Sequence, residues 1–197
     1  MINPLVNIIE NWVEPGSNII DFGCGDGALL KEFRDKKNTV GYGIEIDPDG
    51  IIQCLKNDIA VVEKNIDDGI DEFSECNFDI AIMASSIQCL KEPKEALIKI
   101  LNLSNKCIVT IPNLGYWRCR IDLLLGRMPV TPSLPSSWHG TENIHLCTIK
   151  DFEDLCAEED FMILDSMHLN KDRKQSKISA LLPNLLSSEG VYLLARK

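Results

Sequence analysis

Basic residues are scarce in this chain, and several exclusions follow from what it lacks. Twenty Lys and Arg stand against 30 Asp and Glu, for a net charge of −10 and a pI near 4.8. A duplex-binding domain draws most of its affinity from clustered cations that neutralise phosphates. The balance here argues against nucleic acid as a partner, unless the few cations gather on one face. No run of 18 apolar residues exists, so no membrane-spanning helix is expected. The first basic residue is Lys31, so the positive n-region of a signal peptide is missing as well. A soluble, cytoplasmic protein is expected. The eight cysteines form no C-x-x-C pair and no zinc-type spacing, which predicts buried free thiols and no metal site. A G-x-S-x-G elbow is also lacking, so the chain is a poor candidate for performing acyl transfer itself.

What is present fits one α/β domain spanning residues 1–197. Apolar residues make up 45% and charged residues 25%, close to the globular average. At this length folding buries roughly 70% of the unfolded surface, enough for a core without staples. Leu5, Ile8, Ile9 and Trp12 follow helical spacing. A strand over 18–22 then leads into Gly-Cys-Gly-Asp-Gly at 23–27, a helix bearing Leu29, Leu30 and Phe33, and a second strand over 39–46. Ile51, Ile52 and Leu55 predict the buried face of the next helix. The alternation continues with a short apolar segment at 59–62, a strand at 78–83, a helix at 95–103 and a strand at 107–111. Thr148 and Asp151 announce a capped helix, 162–164 and 191–195 the last strands, and 170–177 a solvated loop between them.

Most of the chemical information lies in Asp21-Phe22-Gly23-Cys24-Gly25-Asp26-Gly27. Glycines let the backbone turn tightly after a strand and approach a ligand with no Cβ in the way. The amides of the following helix then face a polar or anionic group. Glu45 ends the next strand, where a carboxylate can accept hydrogen bonds from both ribose hydroxyls of a nucleoside. Gly23-x-Gly25-x-x-Ala28 also satisfies the loose dinucleotide fingerprint, so spacing alone admits NAD. Asp21 favours S-adenosylmethionine instead. A carboxylate two residues before the first glycine suits an ammonium group and would repel a pyrophosphate.

D-F-G-C-G-D-G followed by G-I-E-I-D resembles the first two motifs of the class I S-adenosylmethionine-dependent methyltransferases. The longer runs D-F-G-C-G-D-G-A-L-L, G-Y-G-I-E-I-D, I-P-N-L-G-Y-W-R-C-R-I-D-L-L-L-G-R-M-P-V-T and N-I-H-L-C-T-I-K-D-F-E, with Y-L-L-A-R near the end, resemble the methionine biosynthesis protein MetW family over nearly the whole chain. The resemblance implies a Rossmann-like α/β fold, with a seven-stranded, mostly parallel sheet of order 3-2-1-4-5-7-6 and helices on both faces. It implies that Asp21, Gly23 and Gly25 hold the methionine portion of S-adenosylmethionine or S-adenosylhomocysteine, that Glu45 binds ribose, and that Ile46 packs on adenine. Asn65 and Asp67 are the two candidates for the adenine amino group, and Ala84 and Ser85 line the pocket after the fourth strand. It further implies work beside a homoserine O-acyltransferase, with no methyl acceptor specified. The Asn/Asp-Pro-Pro-aromatic signature of amino-group methylation is absent, Met83-Ala84-Ser85-Ser86 standing in its place. A small-molecule methyltransferase is the other reading.

Between 113 and 147 the alternation lapses into a stretch read as a lid or partner insertion, rich in Trp117, Trp138, His139, His145 and the prolines 129, 132 and 135. Residues 116–150 carry Arg118, Arg120, Arg127 and Lys150 against Asp122 and Glu142, a net +2 that leaves −12 for the remainder. Arg118 and Arg120 follow a strand whose end opens on the binding crevice, where a guanidinium fork can hold a carboxylate of a substrate or a partner protein. Their aliphatic stems can equally lie over surface leucines. His139 reads as structural, and His145, inside N-I-H-L-C, as the histidine placed to face a substrate or partner.

Overall fold

A computed structural model describes residues 4–175, 179 and 181–197. Seven strands form one sheet: β1 (Asn18–Phe22), β2 (Val40–Glu45), β3 (Val61–Glu63), β4 (Phe78–Ala84), β5 (Ser104–Pro112), β6 (Phe161–Leu169) and β7 (Glu189–Arg196). Their order is β3-β2-β1-β4-β5-β7-β6, as the resemblance implied. β1 to β5 pair in parallel, and β7 enters antiparallel between β5 and β6.

Side chains alternate across the pleat, so each central strand feeds two cores. Ile20 and Phe22 of β1 join Ala81, Met83, Val109 and Ile111 on one face. That face is covered by α4 (Pro93–Leu103) and α6 (Ile149–Glu158), through residues such as Leu97, Ile100 and Phe152. Ile19 joins Ile80, Ile82 and Ile108 on the other face, under α1 (Pro4–Ile9), α2 (Ala28–Lys37) and α3 (Pro48–Lys56).

Local chemistry sets the helix starts. Asp47 caps α3 by accepting from the Asp49 and Gly50 amides at 3.3 Å each, with Pro48 in the first turn. Thr148 and Asp151 form the reciprocal capping box expected for α6, with bonds of 3.2 and 2.8 Å.

The buried face of α3 departs from expectation. Ile52 and Leu55 point to solvent at 47% and 65% exposure, and the residues that go inside are Gly50 and Cys54. The glycine loop occupies the inner side: a Cβ on Gly50 would stand 2.9 Å from the Gly25 carbonyl oxygen and 3.1 Å from Glu45 Cγ. Only small side chains fit there, so close approach overrides the apolar pattern. β3 likewise starts two residues later than the apolar segment, because Ile59 is buried beneath Gly27. β6 runs well beyond its predicted core, with an irregularity between Ile163 and Asp165. In the predicted loop, residues 171–175 are exposed; Ser176 and Lys177 lie outside the described residues.

Candidate functional site

The glycine loop leaves the C-terminal end of β1, beside the end of β2 and the turn after β4. Gly23 adopts φ +78° and its amide donates to the Ile44 carbonyl at 2.8 Å, stitching the loop to the end of β2. A Cβ at Gly23 would approach Ser86 Cβ to 2.9 Å, so the loop lies directly against the turn after β4. Gly25, at φ +56°, differs: a Cβ there would meet nothing within 4 Å. Its left-handed backbone favours glycine, and the space above it is open to a ligand.

Two carboxylates face this loop. Glu45 accepts from the Gly25 amide at 2.7 Å through Oε2, and from the Ile46 and Asp47 amides at 2.7 and 2.9 Å through Oε1. Three of a carboxylate's about four acceptor positions are thus engaged, and the group is held rigidly in place. Asp21 is the opposite case. It is 2% exposed, and its Oδ1 is buried without a hydrogen-bond partner among the described residues. Burial, reinforced by the Glu45 charge, pushes its carboxyl up to about 7. An orphaned, buried carboxylate oxygen at a strand end is costly unless something cationic answers it.

Cys24 and Cys54 lie under the same loop with sulfurs 3.7 Å apart, and the Cys54 thiol donates to the Gly25 carbonyl at 3.2 Å. Burial pushes both thiols up, so they act as packing rather than as nucleophiles.

The remaining predicted residues brace one another. Asn65 Oδ1 accepts from the Asp67 amide at 3.0 Å, and Asp67 Oδ1 from the Lys91 amide at 2.9 Å. The Lys91 carbonyl accepts from His145 Nε2 at 3.2 Å, while the Ile144 and His145 amides both donate to the Gln88 carbonyl. The turns after β3 and β4 are therefore tied to the 143–146 stretch. Ile46 is exposed and Ala84 half-buried. Ser85 takes a left-handed φ of 61°, unusual for a serine, held by bonds from its amide to Thr110 Oγ1 and from Gln88 Nε2 to its carbonyl, both 2.8 Å.

Ser85 opens on a cleft of ≈ 380 Å³, which it shares with Gln88, Cys89, Ser133, Asn143 and the Arg173–Glu189 pair. Gln88 is 7% exposed and its Oε1 has no partner among the described residues. Arg173 Nε stands 3.2 Å from Glu189 Oε2; burial raises the Glu189 carboxyl and Arg173 partly offsets this. Sequence reasoning missed Gln88, Arg173 and Glu189. None belongs to a motif, and β7 brings Glu189 to this cleft only through long-range pairing. It also missed Asn113. That side chain is 1% exposed, accepts from the Gly115 and Ile149 amides, and donates to the Asn184 and Ser187 carbonyls, joining the end of β5 to the start of α6.

Arg118 and Arg120 are not among the residues lining the Ser85 cleft. They project from α5 (Trp117–Leu124), where the Arg118 guanidinium lies 5.6 Å from the Trp117 ring centre in a separate cleft with Ile121 and Val130. Arg120 Nε donates to the Gly115 carbonyl at 2.6 Å. His139 is exposed beside Trp138, its Nε2 3.3 Å from Ser137 Oγ.

A 3-2-1-4-5-7-6 sheet with a glycine loop after β1 and a carboxylate ending β2 defines the class I methyltransferase fold. A TehB-like S-adenosylmethionine-dependent methyltransferase from Corynebacterium glutamicum superposes with a TM-score of 0.63 at 17% identity, over 100% of this chain and 89% of that one. The [4+2]-cyclase SpnF does so with a TM-score of 0.65 at 14% identity, over 98% and 80%. Within that fold the chain belongs to the MetW family: the model of methionine biosynthesis protein MetW matches residues 4–194. The bifunctional methionine biosynthesis protein MetXA/MetW of Rhodopirellula baltica is 27% identical over 195 residues, covering 94% of this chain. The chain spans only 31% of that relative's length.

Proposed function

We propose that this chain binds S-adenosylmethionine or S-adenosylhomocysteine in the glycine-loop crevice and acts in methionine biosynthesis beside a homoserine O-acyltransferase. The observation that carries the nucleoside reading is the orphaned Asp21 oxygen, together with the open space at Gly25. An ammonium group supplies the counter-charge that this carboxylate lacks, whereas a pyrophosphate would add to the repulsion between Asp21 and Glu45. Glu45, already fixed by three amides, presents its remaining acceptor capacity to a ribose hydroxyl. Exposed Ile46 offers an apolar surface for adenine, and Asn65 or Asp67 meets its amino edge. Ala84 and Ser85 close the pocket on the side of the Ser85 cleft.

The partner reading rests on the bifunctional relative, in which MetXA and MetW share one polypeptide. When bound, S-adenosylmethionine would supply an electrophilic sulfonium methyl. The Ser85 cleft, with Gln88 Oε1, unpartnered among the described residues, in its wall, has the size of a small-molecule acceptor site and supports methyl transfer as a second reading. The fold is compatible with either role, since it also serves a [4+2]-cyclase.

Titration calorimetry with S-adenosylmethionine, S-adenosylhomocysteine and NAD tests the pocket. Micromolar binding of the first two is expected, with none of NAD and with loss in Glu45→Ala. Binding of NAD alone, or nucleoside binding unchanged by Glu45→Ala, overturns the site. Assaying the acyltransferase with and without this chain tests the partner role, which fails if the rate and its nucleoside dependence are unchanged.

A further inference from the structure

The described residues leave twenty large apolar side chains exposed, and ten of them fall between positions 117 and 146. Trp117, Ile121, Leu124, Leu125, Met128 and Trp138 are all at least 41% exposed, Leu124 reaching 86%. α5 buries only Cys119 against the rest of the molecule, so it is a helix without a partner for most of its apolar surface. Six of these ten line two clefts. Trp117, Ile121 and Val130 line one cleft, Met128, Trp138 and Leu146 line another, and the chain from Met128 to Thr131 joins the two.

This surface is also braced. The Arg120 amide donates to the Tyr116 carbonyl, Thr131 and Leu134 exchange backbone bonds, and Ile144 and His145 are pinned to Gln88. A fixed apolar patch of this extent marks an interaction site. Its charges distinguish the occupants. Arg118, Arg120 and Arg127 outnumber Asp122 and Glu142 on a chain whose net charge is −10. A second copy would set these arginines against one another and bring two acidic bodies together. An anionic membrane would repel the same acidic body. A different protein offering an apolar face with an acidic rim has neither problem.

We infer that the 117–146 face is the surface on which the homoserine O-acyltransferase docks, its arginines meeting carboxylates at the rim of an apolar contact. The inference rests on the partner reading above and assigns that partner's position. The shared polypeptide of the bifunctional relative is what selects this occupant among distinct proteins.

The test uses the full chain and the acyltransferase of the same organism, each purified, with affinity measured by calorimetry and stoichiometry by light scattering. The double substitution Leu124→Glu/Leu125→Glu should weaken the complex at least about ten-fold, as loss of an apolar interface anchor does. Arg118→Glu should weaken it and flatten its salt dependence. Leu55→Glu, at an equally exposed position on α3, should change nothing. S-adenosylhomocysteine binding and melting temperature should match the parent in all three. A complex that forms but ignores the α5 changes overturns this face and leaves the partner reading standing. No complex with the parent chain overturns that reading and this inference together. Self-association, or binding to anionic vesicles, that Leu124→Glu/Leu125→Glu abolishes would make the occupant a second copy or a membrane, and the inference false.

Discussion

At the scale of single residues, Asp21 carries a cost in the unliganded protein that a cationic ligand would relieve. Its carboxyl titrates near 7 in the fold, against 3.8 for a free side chain. Between those values the folded state holds a proton that the unfolded state releases. The stability this proton contributes is complete below about pH 4 and lost as pH rises to 7. Asp21→Asn should therefore raise stability at pH 8 by on the order of 2 kcal/mol, measured by denaturant unfolding, and should abolish nucleoside binding. In the parent chain, affinity for S-adenosylhomocysteine should climb between pH 5.5 and 7, approaching ten-fold per unit as Asp21 ionises. A flat calorimetric profile over that range would remove Asp21 from the ammonium site. Asp21 and the glycines were legible in the sequence because residue types so constrained leave a local signature. Gln88 and Arg173 were not, since a glutamine or an arginine acquires its role only from what the fold places beside it.

At the scale of elements, the caps behaved as local chemistry dictates, and the helix faces did not always do so. Thr148 and Asp151 span three residues, so their capping box needs nothing from the rest of the chain. The face of α3 depends instead on what lies opposite it, and the glycine loop leaves room only for Gly50 and Cys54. Gly50→Ala should push the Gly25 carbonyl and Glu45 out of register. The expected result is at least about a ten-fold loss of nucleoside affinity with a fold intact by circular dichroism. Asn113 is the corresponding joint between β5 and α6. Asn113→Ala leaves two buried amides and two carbonyls short of partners and should destabilise by about 3 kcal/mol in urea unfolding.

At the scale of the whole molecule, the acidic balance and the basic, apolar 117–146 face belong together. An acidic body discourages association through most of its surface and leaves one face open to a complementary partner. Alternation of strands and helices, the glycine turn and the acidic end of β2 were set by the sequence, because each is a pattern of near neighbours or of fixed period. The antiparallel entry of β7 between β5 and β6 followed from the family resemblance rather than from any local pattern. Which apolar residues of 117–146 face solvent, the meeting of Glu189 with Ser85 at one cleft, and the separation of Arg118 from that cleft were decided by tertiary structure. The sequence by itself determined the elements and the chemistry of the loop. Packing decided which side chains share a space, because burial and proximity are properties of residues far apart in the chain.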